Sequence, residues 1–324
     1  MSFKEEILKY SRQDRIAPLS DWFDNALSEL IDFDVYPYSD KLDEIGKILV
    51  KNLVAYREKY NVNDVVIGMS GGVDSALTAA LFKRAGYTVW GFTLPIHQKP
   101  EETERGMAAC RAFDIIHKQI DLTESYEFML KQTRLFDPEI DNEEAKLRRG
   151  NLRVRLRMMT LYNMASAVRG FVASTDNYSE LAAGFWTLHG DVGDVSPIQS
   201  LNKSWEVPKL AEIAGVPQET VFATPTDGLG ISNGDEDQFG FSYLEFDIVL
   251  HRIGQTTITS SNRQEILESL AVPDEDLEKV NRILDRIQSS AFKRANPFNL
   301  LHPAQPTRFQ QLETIDTAVW NPVK

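Results

Sequence analysis

The chain has 324 residues, of which 42% are hydrophobic and 26% charged, and its formal net charge at pH 7 is -13. This composition is ordinary for a folded globular protein, and the negative charge argues against a broad nucleic-acid-binding surface. Cys110 is the only cysteine, which excludes an intramolecular disulfide and a cysteine-based zinc site. There is neither an apolar leader at the N-terminus nor an apolar run of 18 residues. We therefore expect a cytoplasmic protein that contacts no membrane and no nucleic acid.

Taken in chain order, the hydrophobic pattern first predicts an amphipathic helix over 20–33, with Ser20 as its N-cap. It belongs to a helical N-terminal extension over residues 1–38. A second helix covers 39–59. Strands and helices then alternate, the strands over 64–69, 88–94 and 115–120 and the helices over 73–85, 101–113 and 123–133. This alternation predicts an α/β fold with a Rossmann-like parallel sheet and helices on both faces.

The second half of the chain is less regular. In order, it contains a polar loop (137–146), a long helix (151–168), a strand (171–174), a glycine- and aspartate-rich stretch (184–196), a helix (204–214), a polar loop (225–240), helices over 241–293 and a tail. Parallel sheets bind ligands at the carboxyl ends of their strands, near a switch in strand order. We therefore expect the rim of a site where the first, second and fourth strands end, although the strand order itself cannot be read from the pattern.

The most informative segment is 67–76, Ile-Gly-Met-Ser-Gly-Gly-Val-Asp-Ser-Ala, which directly follows an apolar run. Gly71 and Gly72 allow close approach of backbone to an anion, and Ser70 and Ser75 supply hydroxyls. The helix that begins after them directs its unpaired N–H groups to the same place. Asp74 would repel a phosphate there unless a cation lay between them, so the segment predicts a phosphate loop with Mg²⁺.

This loop ends in neither the Gly-Lys-Ser/Thr of the P-loop nor the G-x-G-x-x-G spacing of the dinucleotide fold. Its core, Ser-Gly-Gly-Val-Asp-Ser, resembles the signature of the N-type ATP pyrophosphatases. The resemblance implies cleavage of ATP between the α and β phosphates and transfer of AMP to a carboxylate or carbonyl oxygen.

Five arginines lie within 148–157, in an otherwise acidic chain. On a helix, Arg153 and Arg157 share one face and Arg155 points elsewhere. Three interpretations stay open: a solvated charged face, a stripe that binds RNA although it lacks stacking aromatics, and a clamp for a small anionic substrate.

From Gly150 onward, several motifs follow in order: Gly-Asn, Arg-x-Arg-Met, Ser-Thr-Asp-Asn-x-Ser-Glu, Gly-Phe-x-Thr-x-x-Gly-Asp and Pro-Ile. Together they resemble the NAD synthetase family, whose fold is adenine nucleotide alpha hydrolase-like, over a domain that we place at 39–300, with a tail at 301–324. The resemblance implies ATP-driven amidation of nicotinic acid adenine dinucleotide through an acyl-adenylate, giving NAD, AMP and pyrophosphate. It also implies a homodimer. Because about 60 residues precede the first strand, too few for a glutaminase domain, free ammonia is the expected nitrogen donor.

The resemblance assigns roles to individual residues. ATP-binding positions are Gly68, Ser70, Gly71, Gly72, Asp74, Ser75, Leu94, Thr175 and Thr226. Substrate-binding positions are Asn151, Arg155, Asp191 and Lys293. Asp74 and Glu180 match the Mg²⁺ ligands, and the catalytic group comprises Asp74, Lys203 and Asp191.

The chain departs from the family pattern at three positions, where Leu147, Leu188 and Phe292 replace an aromatic residue, a lysine and a histidine. These changes concern the acceptor half of the site more than the ATP half. Two alternatives therefore stay open: another ATP pyrophosphatase ligase with a shifted substrate, and a non-catalytic relative that binds adenine nucleotides. A thiolating enzyme is less favoured, because it usually needs paired cysteines and a basic surface.

Overall fold

The computed structural model describes residues 1–133, 142–225, 234–254 and 256–294. Its sheet contains the strands β1 (Asp64–Gly68), β2 (Thr88–Thr93), β3 (Ile116–Gln119) and β4 (Phe171–Val172). All the pairings are parallel, in the order β3-β2-β1-β4, and an isolated parallel bridge joins Ala173 to Val195. The predicted parallel α/β fold is confirmed.

Helices surround this sheet. The first half of the chain forms α1 (Phe3–Tyr10), α2 (Gln13–Ile16), α3 (Asp21–Asp32), α4 (Ser39–Tyr60), α5 (Val73–Arg84), α6 (Pro100–Ala112), α7 (Thr123–Gln132) and α8 (Glu143–Val168). The second half forms α9 (Tyr178–Ala183), α10 (Glu206–Ile213), α11 (Gln218–Val221), α12 (Asp235–Phe239), α13 (Tyr243–Ile253), α14 (Arg263–Leu270), α15 (Asp274–Ser289) and α16 (Ala291–Arg294). The predicted helices from α3 to α7 agree with these bounds within about two residues, and the Ser20 side chain caps α3 by accepting from the Phe23 amide.

Two predictions about local structure were wrong, and one helix was not predicted. Helix α8 begins at Glu143 rather than at 151, because the Asn142 side chain caps it by accepting from the Ala145 amide at 2.8 Å. Helix α9 was not predicted, although Asn177 and Glu180 form a capping box at its start. Helix α12 lies inside the segment that was predicted to be a loop. The starts of all three helices are polar, and the residue types that cap helices are also those that are common in loops. The sequence pattern therefore did not distinguish these helix starts from loops.

Alternate residues of β1 face two different layers of helices. Val65 and Ile67 pack in one apolar cluster with residues of α4, α5 and α10. Val66 packs in a second cluster with residues of α7 and α8. Because successive strand residues point to opposite sides of a sheet, this division places helices on both of its faces.

The N-terminal extension contributes to the larger of these two clusters. Ile7 and Phe23 are fully buried in it together with Trp205, whose indole nitrogen donates to the Pro37 carbonyl at 2.8 Å. The division at residue 38 stays a prediction, and the predicted tail over 301–324 lies outside the described residues. Within the described ranges, every helix is too short or too polar to cross a membrane.

The strand order explains where a ligand can enter. The chain moves outward from β1 to β2 and β3, and then returns to place β4 on the other side of β1. The connections that leave β1 and β4 therefore diverge and open a crevice at their carboxyl ends. This is where the phosphate loop and the segment that follows β4 come together.

Candidate active site

A cleft of about 550 Å³ opens at this crevice. Its walls come from the ends of β1, β2 and β4, from α8 and from the segment that connects β4 to α10. Twelve of the residues predicted for the site line it: Gly68, Ser70, Gly72, Asp74, Leu94, Asn151, Arg155, Thr175, Glu180, Asp191, Lys203 and Lys293. Residues more than 200 positions apart in the chain thus meet in one cavity, as expected of a small-molecule site.

Two residues of the phosphate loop lie behind its surface. The buried Ser75 hydroxyl donates to the Gly72 carbonyl at 3.0 Å and lies 3.2 Å from the Ser70 hydroxyl. Gly71 also lies outside the lining and adopts a φ of +88°. Ser75 and Gly71 therefore shape the loop from behind, and their ATP-binding roles stay predictions. Thr226 lies outside the described residues.

Gly71 provides a direct test of this loop. A Cβ there would come within 2.1 Å of the Glu102 carbonyl oxygen, in addition to the strain of a positive φ. Gly215 is the matched control, since its φ is +85° but a Cβ would meet no described atom within 4 Å. We expect Gly71→Ala to lower both ATP affinity and thermal stability, and Gly215→Ala to cost only about 1 kcal/mol of stability with normal ATP affinity. Equal ATP affinities for the two purified variants would contradict this.

Within the lining of the cleft, Lys203 lies between two acids. Its ammonium group contacts the Asp74 carboxylate and lies 3.7 Å from a Glu180 oxygen. The three side chains are only 8%, 15% and 17% exposed, respectively. Asn177 donates to Asp74 from its side-chain amide at 2.9 Å. Asp74 comes from the start of α5 and Glu180 from α9, so the sheet crevice brings them together.

The charged side chains of this group shift one another's pKa values. Burial and the negative charge of Asp74 raise the pKa of Glu180 well above its usual value. Burial by itself would lower the pKa of Lys203, but the charges of Asp74 and Glu180 outweigh it and raise that pKa. When both carboxylates are ionised, the two acids and their one shared cation leave a net negative charge. Such a site attracts further cations, whether ammonium or metal.

A buried acid holds the loop that carries Lys203. Asp247 on α13 is fully buried and accepts from the Ser179 hydroxyl at 2.5 Å and from the Ser204 amide at 3.0 Å. The same Ser179 hydroxyl accepts from the Lys203 amide at 2.8 Å. Burial raises the pKa of Asp247 to about 6, against the lowering effect of these hydrogen bonds. No sequence motif pointed to Asp247, because it lies 44 residues beyond Lys203 in an ordinary apolar helix.

The opposite wall brings the predicted acceptor residues together through Thr187. The Thr187 hydroxyl donates to the Asn151 side chain at 2.7 Å, and its amide donates to Asp191 at 2.9 Å. Asp191 is an exposed residue in the open cleft, and desolvation by the surrounding walls raises the pKa of its carboxyl to about 7. The nearby Arg155 donates to the Leu188 carbonyl at 3.1 Å.

The three departures from the family pattern take different places. Leu147 and Leu188 line the cleft, whereas Phe292 does not and is 63% exposed. Lys293, next to it, donates to the Gly184 and Trp186 carbonyls at 2.7 and 2.6 Å. Lys293 thus reaches the acceptor wall even though the preceding aromatic ring faces away from it.

Two arginines of the run at 148–157 lie in the cleft wall. Arg155 and Arg157 both line the cleft, although ideal helical spacing would separate them, because their long side chains reach it from either side of α8. Arg153 instead lies over the Tyr126 ring at 5.1 Å, so its predicted grouping with Arg157 does not hold at the cleft. Arg157 donates to the Leu94 carbonyl at 3.0 Å. The interpretation as a clamp for a small anion fits this placement best.

Three further polar residues, which were not predicted from the sequence, line the same cleft: Gln98, Arg105 and Arg286. Arg286 on α15 donates to the Ala183 carbonyl at 2.7 Å, next to α9. Arg105 on α6 donates to the Gly71 carbonyl at 3.1 Å. None of them lies in a motif, and only the packing of α6 and α15 shows that they reach the site.

A glycine loop at the switch point of a parallel sheet, with paired acids and a lysine behind it, defines an α/β nucleotide-binding protein. The family model described as NAD synthase matches residues 45–297. The chain therefore belongs to the NAD synthase family, whose members are ligases.

Two curated relatives and one solved structure illustrate the likeness. The chain is 34% identical to an NH(3)-dependent NAD(+) synthetase of Alkaliphilus oremlandii, over 72% of this chain and 87% of that protein. It is 32% identical to the NH(3)-dependent NAD(+) synthetase of Methanocaldococcus jannaschii, over 80% and 97%. An NMN synthetase from Francisella tularensis superposes with a TM-score of 0.64 at 29% identity, over 82% of this chain and 99% of that one.

Proposed function

We propose that this protein amidates nicotinic acid adenine dinucleotide with ammonia, in a reaction driven by ATP and Mg²⁺, to give NAD, AMP and pyrophosphate. One observation carries the proposal: the phosphate loop and the group of Lys203, Asp74 and Glu180 share a single cleft with Asn151 and Asp191. The names of the curated relatives support the same reaction.

In the first half-reaction, a carboxylate oxygen of the dinucleotide attacks the α-phosphorus of ATP. The bond from that phosphorus to the bridging oxygen breaks, and pyrophosphate leaves with its electron pair. The phosphate loop and Lys203 hold the negative charge that develops on the departing group, which is the usual way in which such sites lower the barrier. The product is an acyl-adenylate.

In the second half-reaction, ammonia attacks the acyl carbon, AMP leaves and a proton is released. Asp191 is suited to accept that proton, because its pKa of about 7 matches the working pH of a general base. The hydrogen bond between Thr187 and Asn151 holds the part of the cleft wall that carries Asp191 in place. The second half-reaction therefore takes place at the wall of the cleft opposite the phosphate loop.

The acids fit Mg²⁺. Among the described residues there is no cluster of three or more histidine, cysteine or acidic side chains suited to a metal. Mg²⁺ is usually bound through one or two carboxylates together with substrate phosphates, so a two-acid site agrees with its chemistry. Asp74 and Glu180 would hold the ion, which when bound neutralises phosphate charge.

The test is a reconstitution with purified protein, ATP, Mg²⁺, ammonium and nicotinic acid adenine dinucleotide. We expect NAD and AMP to form in equal amounts, with pyrophosphate as the third product. Omission of ammonium serves as the control and should stop NAD formation. Binding of ATP with no turnover would contradict the proposal and favour a non-catalytic role.

A second acceptor, nicotinic acid mononucleotide, follows from the likeness to the Francisella NMN synthetase. The apolar Leu147 and Leu188 in the cleft wall favour a changed acceptor contact. A competition between equal concentrations of the two acids decides the matter, because the ratio of their amidated products equals the ratio of their kcat/KM values. A ratio above ten for the mononucleotide would replace our first proposal.

We also propose that the chain works as a homodimer in the cytoplasm. Met159 and Tyr162 on α8 are 64% and 39% exposed, on a helix that also supplies cleft residues. Large apolar side chains exposed along one helix are suited to a subunit interface. Light scattering of the purified chain measures the mass, and a monomer at the concentration of the assay would contradict this proposal.

A further inference from the structure

We propose that Arg105, through its Nε–H group, is a positioning residue that fixes the active shape of the phosphate loop. The inference rests on the proposed binding of ATP at this loop, and it adds a residue that lies outside every motif of the sequence. It concerns how the loop is held rather than which atoms react.

Helix α6 packs directly against the back of the loop. A Cβ at Gly71 would lie 2.1 Å from the Glu102 carbonyl oxygen, and one at Gly106 would lie 2.7 Å from the Met69 carbonyl oxygen. Backbone therefore touches backbone at two points, which requires glycine on each side. This contact brings the first turns of α6 within reach of the loop's peptide groups.

Side chains from this region hold two consecutive carbonyl groups of the loop. Gln98 donates to the Ser70 carbonyl at 3.2 Å, and Arg105 donates through Nε to the Gly71 carbonyl at 3.1 Å. Because a trans peptide is planar, its N–H points opposite to its C=O. Holding the Gly71 carbonyl towards α6 therefore directs the Gly72 N–H the other way.

That N–H group has a specific partner. The Gly72 amide donates to the Ser70 hydroxyl at 3.3 Å, and Ser70 is an exposed residue that lines the cleft. A chain of contacts thus runs from Arg105 through the Gly71–Gly72 peptide to a hydroxyl predicted to contact phosphate. Rotation of this one peptide would break it.

The loop needs such support because it contains two adjacent glycines. Glycine adopts positive and negative φ values with similar ease, so a Gly-Gly peptide can rotate at little steric cost. Donors that bind a phosphate contribute most when they are fixed in place before the ligand arrives. The hydrogen bond from Arg105 supplies that restraint from a packed helix.

Two substitutions separate the hydrogen bond from the charge. In Arg105→Gln the side-chain Nε2 lies as many bonds from the backbone as the arginine Nε, so the donor is kept while the positive charge is lost. Arg105→Met places a methyl group there, which cannot donate. The matched surface control is Arg111→Ala on the same helix, since Arg111 pairs with Glu104 at the exposed side.

We expect Arg105→Met to raise the KM for ATP and the inhibition constant of pyrophosphate by about tenfold, as for the loss of one charge-assisted hydrogen bond. Arg105→Gln should stay within about threefold of wild type, and Arg111→Ala should match wild type. The KM for the acceptor acid and the melting temperature should change little in all three variants, since a role limited to general stability would shift those as well.

Equal ATP and pyrophosphate constants for the Gln and Met variants would overturn the inference, because the donor would then be irrelevant. A parallel rise in the acceptor KM would also overturn it, by showing general distortion of the cleft. If wild-type protein itself bound neither ATP nor pyrophosphate, the proposed function would fail, and this inference with it.

Discussion

We expect Asp74→Ala to lower kcat for NAD formation by at least about 100-fold, as when a charge-stabilising group is removed from a reaction centre. Asp74 contacts Lys203 and accepts from Asn177, and with Glu180 it forms the proposed Mg²⁺ site. Its loss therefore removes a metal ligand and releases the lysine at once. The measurement is the rate of NAD formation at saturating ATP, together with the Mg²⁺ concentration that gives half of the maximal rate.

Two further variants make this result specific. Asp74→Asn keeps the size and polarity of the side chain but not its charge, so it should lose activity nearly as severely. Asp114→Asn removes the charge of an acid whose side chain is fully exposed just beyond α6, and it should behave as wild type, since asparagine tolerates the positive φ of this position. Wild-type activity in Asp74→Ala would show that the assignment of the metal site is wrong.

Lys203→Met should lower the free energy of unfolding by about 3 kcal/mol, because removal of one partner leaves buried charges without compensation. The lysine side chain is only 8% exposed, and without it Asp74 and Glu180 face each other with no cation between them. Activity should fall as well, since the lysine contacts Asp74 at the start of the helix that follows the phosphate loop. Denaturant unfolding with Mg²⁺ removed measures the first effect.

Mg²⁺ itself then provides the decisive control. We expect Mg²⁺ to raise the melting temperature of Lys203→Met more than that of wild type, because the ion replaces the missing charge. Lys209→Met is the matched variant, since Lys209 is similarly buried but pairs with Glu6 and Glu212 away from the cleft. It should lose stability without gaining sensitivity to Mg²⁺, and an identical Mg²⁺ response in the two variants would refute the site.

The loss of unfolding free energy in Lys203→Met, which we call its stability deficit, should also depend on pH. Burial raises the pKa of Glu180 and the charge of Lys203 lowers it, so in Lys203→Met that pKa rises further and the folded state holds the Glu180 proton still more tightly than the unfolded state does. By linkage, this group destabilises the folded state increasingly as pH rises from its unfolded value of 4.5 towards its folded pKa. The deficit should therefore shrink in acid and be largest at neutral pH.

The local sequence was sufficient to predict a secondary-structure element wherever the residues of that element showed its characteristic pattern. The strand, glycine turn and helix at 64–85 could be predicted because a short apolar run, the two adjacent glycines and the following helix lie next to one another in the sequence. Helix α8 was misjudged at its start for the opposite reason. Its first turns are polar and show no apolar periodicity that would indicate a helix. Asn142, which caps the helix, is of a residue type that is equally common in loops.

The sequence by itself determined the α/β class, the phosphate loop and twelve of the residues that line the cleft, because those features belong to short motifs with a local physical cause. Tertiary structure alone decided that β4 lies beside β1, which opens the cleft, and that Lys203 lies between Asp74 and Glu180. It alone also placed Arg105 on the Gly71 carbonyl and Asp247 beneath the Lys203 loop. Such contacts join residues tens to more than a hundred positions apart, and their geometry is set by how helices pack on the sheet rather than by any local pattern.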